Sequence, residues 1–256
     1  MALHLETIPC LTDNFAFLIH DEDSGATACV DVPDAAPVLA ALDRTGWRLT
    51  DILLTHHHSD HVQGVEPLRA ATGAMVLGAA ADAHRLPPLD LALTTDMSFA
   101  IGREHARIID VSGHTVGHIA FYFADSGLVF TGDSLMAAGC GRLFEGTPAQ
   151  MWDSLQRLMA LPPETLVCSG HDYLTGNLAF AASVDPGNPA VRSRNDRLAQ
   201  MRRDGHLPMP SLLSEELATN PFLRAARPEL ATAAGLNGGT AVDVFTALRA
   251  MKDRFR

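Results

Sequence analysis

Four histidines and an aspartate fall within six consecutive residues, His56-His57-His58-Ser59-Asp60-His61, and no other feature limits the fold of this chain as much. The cluster follows an apolar stretch, Ile52–Thr55, that reads as a strand. On an extended backbone His56 and His58 face the same way, and His57 faces away. Asp60 and His61 come where the chain turns into a helix beginning near Val62. So many imidazoles would make a poor core and an odd surface. Neutral imidazole and carboxylate are, however, the ligands that zinc, iron and manganese accept. A fold that uses them must bring further ligands to the end of this strand.

Three further candidates recur in one local pattern. His114 follows strand Arg107–Val111 in Ser112-Gly113-His114-Thr115, and Asp133 follows strand Leu128–Thr131 in Thr131-Gly132-Asp133-Ser134. His171 follows strand Leu166–Cys168 in Ser169-Gly170-His171-Asp172. Each lies just past the C-terminal end of a strand, behind a glycine that lets the backbone approach closely. Any one alone would pass for a turn or cap residue. Three repeats behind one HxHxDH cluster point to a metal site.

The surrounding chain fits an α/β fold. Up to about residue 170, short apolar strands alternate with turns: besides those named, Leu3–Ile8, Phe15–His20, Thr27–Val32, Ala74–Leu77 and Ile119–Phe123. Helices are expected over Asp34–Thr45, Val62–Ala71 and Pro148–Leu161, the last with Thr147 as N-cap and proline at the first helical position. After His171 no strand is expected. Helical stretches cover 175–184, 189–204, 211–218 and 241–251, broken at Asp185-Pro186-Gly187-Asn188, Leu207-Pro208-Met209-Pro210 and Gly238-Gly239.

Length and charge narrow the class. At 256 residues and 47% hydrophobic, the chain can bury one large core plus an appendage. No apolar run approaches the ~20 residues of a membrane span, and the start, MALHLETIPC, lacks the pattern of a signal peptide. Cys10, Cys29, Cys140 and Cys168 are far apart, which argues against a disulfide scaffold. A soluble, cytoplasmic protein is expected. The net charge of −11 speaks against nucleic-acid binding. Residues 1–185 carry −15 and residues 186–256 carry +4, a reversal that suggests two parts with different tasks.

The ordered set HxHxDH, His, Asp, His resembles the metallo-β-lactamase superfamily. The resemblance implies an αββα sandwich in which His56, His58 and His114 hold one metal, Asp60, His61 and His171 a second, and Asp133 bridges them; His57 is not a ligand position. A narrower resemblance covers nearly the whole chain, to the hydroxyacylglutathione hydrolases. It is carried by Ile8-Pro9-Cys10-Leu11-Thr12-Asp13-Asn14-Phe15, by Ala138–Thr147, by Asn220-Pro221-Phe222-Leu223-Arg224 and by Leu248–Phe255. It implies a catalytic domain over 1–171 and a small helical, glutathione-binding domain over 172–256. Substrate contacts fall on Arg142, the backbone near Phe144, Tyr173, Arg249 and Lys252, the last being the single lysine beside 18 arginines. Two stretches depart from the family pattern. Arg142-Leu143-Phe144 stands where animal members carry Lys-Phe-Tyr, and Gly170-His171-Asp172-Tyr173-Leu174 replaces Gly-His-Glu-Tyr-Thr.

The implied reaction is hydrolysis of S-D-lactoylglutathione and similar thioesters by a metal-bridging hydroxide, with Asp60 and Asp133 as catalytic carboxylates. Zinc is the first choice of metal, with iron or manganese compatible, and the chain is expected to act as a monomer. The rivals are a mono-iron glutathione-persulfide dioxygenase, a β-lactamase and a non-catalytic metal-binding protein. Gly132-Asp133-Ser134-Leu135 also looks like a GDSL esterase motif, but the late Asp-x-x-His partner is missing.

Overall fold

In the computed structural model, which describes residues 2–255, the first part of the chain builds a six-stranded sheet. Its strands are β1 (His4–Cys10), β2 (Asn14–His20), β3 (Thr27–Val30), β4 (Asp51–Leu54), β5 (Met75–Ala79) and β6 (Leu91–Leu93), in that order. β1, β2 and β3 pair antiparallel, whereas β3 to β6 pair parallel. Parallel neighbours need crossovers. These are supplied by α1 (Ala35–Thr45), by α2 (Ser59–Val62) with α3 (Val65–Thr72), and between β5 and β6 by a loop opening on a single 3-10 turn, Ala80–Asp82.

A second six-stranded sheet contains β7 (Ser98–Ile101), β8 (Glu104–Asp110), β9 (Ile119–Phe123) and β10 (Leu128–Gly132). A two-stranded hairpin, β11 (Leu135–Met136) and β12 (Gly139–Cys140), and α4 (Pro148–Met159) intervene before β13 (Leu166–Ser169) joins β10 in parallel. Helices α5 (Leu174–Val184) and α6 (Pro189–Arg203) follow, then β14 (Ser211–Leu212), α7 (Leu213–Thr219), α8 (Pro228–Ala233) and α9 (Ala241–Arg254).

Strand β2 shows why the layers stack. Every residue in it is buried. Phe15, Phe17 and Ile19 enter the core between the sheets, meeting Phe121, Phe123 and Phe130, while Ala16 and Leu18 face Val38, Leu42 and Leu68 of α1 and α3. A strand covered on both faces has no polar side to show, hence its unbroken apolar run. The outer face of the second sheet packs Ile109, Val129 and Val167 against Leu155 and Leu158 of α4 and Phe245 and Leu248 of α9. The result is the expected αββα sandwich with helices added at the C-terminus.

Local signals set the helix ends. Asp34 caps α1 by accepting from Ala36 N, and Gly46 closes it at φ 73°. Thr147 and Gln150 form a reciprocal capping box on α4, with Pro148 at the start as the sequence predicts.

The expectation of no strand after His171 is corrected by β14, which pairs antiparallel with β13 through Leu166↔Leu212 and Val167↔Ser211. Two residues behind Pro208-Met209-Pro210 carry too little alternation to be seen in sequence. The helix expected at 211–218 accordingly starts later, at Leu213. The helix expected at Val62–Ala71 is two pieces, because Gly64 lies between them with backbone against Ala35 and Val32, where a Cβ would come within 2.8 Å. No sequence signal marks strands β6, β7, β11 and β12 or helix α8 either; all are short.

Candidate active site

The loops after β4, β8, β10 and β13 open at one edge of the sandwich, and each delivers one part of a histidine centre. The chain leaves β4 into His56, His57 and His58. His56 Nε2 lies 3.1 Å from His58 Nδ1, which lies 2.9 Å from His114 Nε2. On the other side His61 Nε2 and His171 Nε2 are 3.3 Å apart, and Asp60 Oδ2 is 3.3 Å from His171 Nε2. Asp133 joins the two groups: Oδ1 lies 3.4 Å from His61 Nε2, and Oδ2 lies 3.5 Å from His114 and 3.4 Å from His171. All seven residues expected as ligands therefore converge.

Close backbone approach makes this possible. At Gly132, φ is +48° and a Cβ would lie 2.5 Å from Thr55 Oγ1. At Gly170 a Cβ would lie 2.5 Å from His61 Cε1 and 2.7 Å from Asp133 Oδ1. Neither position admits a side chain without displacing the centre.

The donor set fits metal. Three rings are anchored on the nitrogen facing away from the centre: His61 Nδ1 donates to Asp31, His114 Nδ1 to the Arg142 carbonyl, and His171 Nδ1 to Asp13. The nitrogen left facing inward is then a lone pair in each neutral ring. Nitrogens bound ~2.0–2.1 Å from one tetrahedral zinc stand about 3.3 Å apart, close to the spacings seen here. Asp133 Oδ1 is buried without a hydrogen-bond partner, a costly state unless a cation meets it.

Without metal, protons take the cation's place. Burial opposes charge on His61 and His171, yet Asp133 and Asp31 raise His61 to about 10, and Asp133, Asp60 and Asp13 raise His171 to about 11. On His56, His58 and His114 the same burial prevails, and all three are lowered. Asp60 is held below the usual carboxylate range by His171 first. Metal uptake near neutral pH must then displace protons. Calorimetric titration of the metal-free protein with Zn²⁺, in buffers of different ionisation enthalpy, is expected to show about two protons released per chain. Release near zero would mean that both rings are already neutral.

Beside the centre lies a cavity of about 610 Å³, lined by His114, Asp133, Arg142, Phe144, Tyr173 and Lys252 among others. Phe144 packs edge-on to His58 and His114, with ring centroids at 5.7 and 5.2 Å. Tyr173 stacks flat on His171 at 4.7 Å.

Comparison with known proteins agrees with this geometry. The metallo-beta-lactamase superfamily profile matches residues 22–171, and that of the hydroxyacylglutathione hydrolase C-terminus matches residues 172–255. A hydroxyacylglutathione hydrolase of Fuscovulum blasticum is 67% identical over 255 residues, covering 100% of both chains. The chain belongs to the hydroxyacylglutathione hydrolase family. Among solved structures, the BLEG-1 B3 metallo-beta-lactamase shares the fold with a TM-score of 0.67 at 22% identity, covering 86% of this chain and 99% of that one. TTHA1623 in a di-iron-bound form is 31% identical with a TM-score of 0.56, over 66% of this chain and 92% of that one. The chain is thus a metallo-β-lactamase-type hydrolase that binds divalent metal.

Within this member of the hydroxyacylglutathione hydrolase family, the expected substrate residues differ in their freedom. Arg142 is exposed, and Lys252, which has no ion pair among the described residues, lies 5.9 Å above the Phe255 ring. Burial, then Arg249 and Arg142, lower the Lys252 pKa. Arg249 lines the same cavity but is buried, donating from Nη1 to the Cys140 carbonyl and from Nη2 to Asp253. Asp172, where the family carries Glu, pairs with Arg202 of α6.

Arg249 is one of four side chains from the helical region that hold the β11–β12 hairpin. Asn177 donates to the Ala137 carbonyl and Asn220 to that of Gly139, while Glu216 accepts from Ala138 N.

Several supporting residues escaped the sequence reading. Asp31 accepts from Thr55 N and Thr55 Oγ1 as well as His61. His118 stacks on His56 at 4.6 Å and accepts from Asp133 N through Nε2; burial lowers it to about 3, keeping it a neutral acceptor. Asn14 donates to Asp60. Asp31 sits one residue past β3, as Asp133 sits past β10, but the strand expected from sequence runs on to Val32 and takes Asp31 in.

Proposed function

We propose that this chain hydrolyses S-D-lactoylglutathione and similar S-2-hydroxyacylglutathiones to glutathione and D-lactate, the second step of methylglyoxal detoxification. One observation carries the reading: a single cavity is lined both by His114 and Asp133 of the histidine centre and by Arg142, Tyr173 and Lys252. Reacting groups and a cationic recognition surface are thus continuous.

We assign two metal ions, zinc first and iron or manganese compatible, and the di-iron form of the TTHA1623 relative supports the count. His56, His58 and His114 would hold one, Asp60, His61 and His171 the other, with Asp133 between. Bound there, divalent ions supply Lewis acidity, bringing the pKa of water down to about 7 and countering charge on a carbonyl oxygen.

The protein's own groups do the rest. Asp133 is almost enclosed, whereas the Asp60 side chain is 41% exposed and can accept a hydrogen bond from the attacking water. Asn14 Nδ2, donating to Asp60 Oδ2, fixes the carboxylate for that task. Phe144 covers His58 and His114 and keeps bulk water off that side. Glutathione carries two carboxylates and one ammonium, so Arg142 and Lys252 offset its excess negative charge. Arg249 adds to that field while Nη1 holds the Cys140 carbonyl and Nη2 the Asp253 carboxylate. The departing thiol, of pKa ~8.5, leaves as thiolate without a general acid.

Ser134 has no part in this chemistry. It is fully buried, and its hydroxyl donates to the Thr131 carbonyl at 2.8 Å. Ser134→Ala is expected to keep activity within roughly tenfold, since one hydrogen bond of about 1 kcal/mol is lost. Abolished turnover with intact metal content, or labelling of Ser134 by an organophosphate, would restore the esterase reading.

A panel of glutathione thioesters assayed before and after metal removal tests the proposal. Hydrolysis that is lost with the metal and regained on adding Zn²⁺ is expected. A metal-loaded chain that cleaves none of them overturns it, and oxygen consumption with glutathione persulfide would favour the dioxygenase. We assign the working unit as a monomer, because one chain supplies all seven ligands and the cavity. A cytoplasmic setting is supported by four free, buried thiols.

A further inference from the structure

His57 faces away from the centre, yet its ring is not idle. Nδ1 donates to Asp82 Oδ2 at 2.8 Å, and Asp82 is fully buried. A buried carboxylate needs a charged partner. Arg85 supplies it, donating from Nε to Asp82 Oδ1 at 2.6 Å and from both Nη atoms to Glu145. Glu145 Oε2 in turn accepts from the Val116 amide at 2.9 Å. The loop carrying Val116 also rests directly on Asp82: a Cβ on Gly117 would lie 2.6 Å from Asp82 Cβ.

The attachment points of this network are unevenly placed. His57 stands between His56 and His58, Val116 lies two residues after His114, and Glu145 adjoins Phe144, which packs on His58 and His114. None of its links reaches Asp60, His61 or His171, whose supports are Asn14, Asp31 and Asp13.

We propose that Arg85, through Asp82 and Glu145, positions the three-histidine half of the centre and leaves the other half to separate supports. Arg85 touches no ligand and no reacting atom; it fixes the spacing between the His56–His58 segment and the His114 loop. The inference rests on the two-metal reading above.

The test is a competitive Zn²⁺ titration against a chromophoric chelator, on wild type and Arg85→Met, with Co²⁺ absorption spectra to tell the sites apart. Wild type that takes up fewer than two metals would count against the two-metal reading itself. With two metals bound by wild type, Arg85→Met is expected to weaken one site about 10- to 100-fold, as loss of a supporting contact does. The perturbed Co²⁺ bands should be those of the three-histidine site, with the other site unchanged. Equal weakening of both sites, or unchanged affinity at both, overturns the proposal. Glu145→Gln, a milder change that keeps an acceptor for Val116 N, guards against misfolding of the first variant. It is expected to weaken the same site by less, and weakening of the other site instead would also overturn it.

Discussion

Asp133→Ala is expected to cost the centre at least one of its metals and to lower kcat/KM at least about a thousandfold, beyond the roughly 10- to 100-fold of a merely supporting group. The reason is position. Among the described residues, Asp133 is the carboxylate that contacts both halves, reaching His61 with one oxygen and His114 and His171 with the other. Without it, five histidines face one another with a single carboxylate, Asp60, to balance the added cations. The fold should survive, because Asp133 belongs to a loop past β10 and adds nothing to the hydrophobic cores. Elemental analysis and circular dichroism on the same sample separate the effects. Two metals per chain with near-normal turnover would remove Asp133 from its bridging place.

The second large effect is expected at Lys252. A charge-assisted hydrogen bond to a carboxylate contributes about 1.5–3 kcal/mol, and at 1.36 kcal/mol per tenfold its loss in Lys252→Ala should lower kcat/KM by about 10- to 150-fold. The loss should fall on KM, because a remote carboxylate is bound alike in ground and transition states. Adding Arg249→Ala should harm more than recognition, since Arg249 holds the Cys140 carbonyl and Asp253. A small thioester lacking the glutathione peptide is the control. Lys252→Ala should cleave it as wild type does; an equal loss on both substrates would mean damage to the centre itself.

How far the site could be read from sequence depended on how locally each residue is specified. The seven candidate ligands stood out because four lie in one cluster after a strand and three each follow a strand and a glycine, and strand direction then carries all of them to one edge. Their supports were hidden. Asp31 and Asp82 are tied to the centre by partners 24 to 30 residues away in the chain, as in Asp31 with Thr55 and His61 or His57 with Asp82, and His118 by Asp133, 15 residues on. The layered fold was legible from its apolar strands. Strand β14 was not, because two residues of ladder leave no period, and its place is decided by β13. Arg249 shows a different limit. Its spacing from Lys252 correctly puts both at one cavity, but spacing cannot tell a free guanidinium from one bonded to a carbonyl.

The hold of the helical region on the β11–β12 hairpin bears on how the two parts could be exchanged. Asn177, Asn220 and Arg249 donate to main-chain carbonyls, Glu216 accepts from a main-chain amide, and β14 adds a backbone ladder to β13. Main-chain atoms are the same whatever residue bears them. The hydrogen bonds to Ala137–Cys140 therefore do not depend on which side chains stand there, although space does: at Gly139 a Cβ would collide with Asn177 Nδ2, and its neighbours are buried. The polar residues on the helical side have no such latitude, since each contact depends on one side chain's length and donors. The bonding chemistry is generic on one side of the boundary and specific on the other. A chimera joining this helical region to another sandwich would accordingly need a matching backbone path and a glycine at the place of Gly139, more than a matching sequence elsewhere in the hairpin.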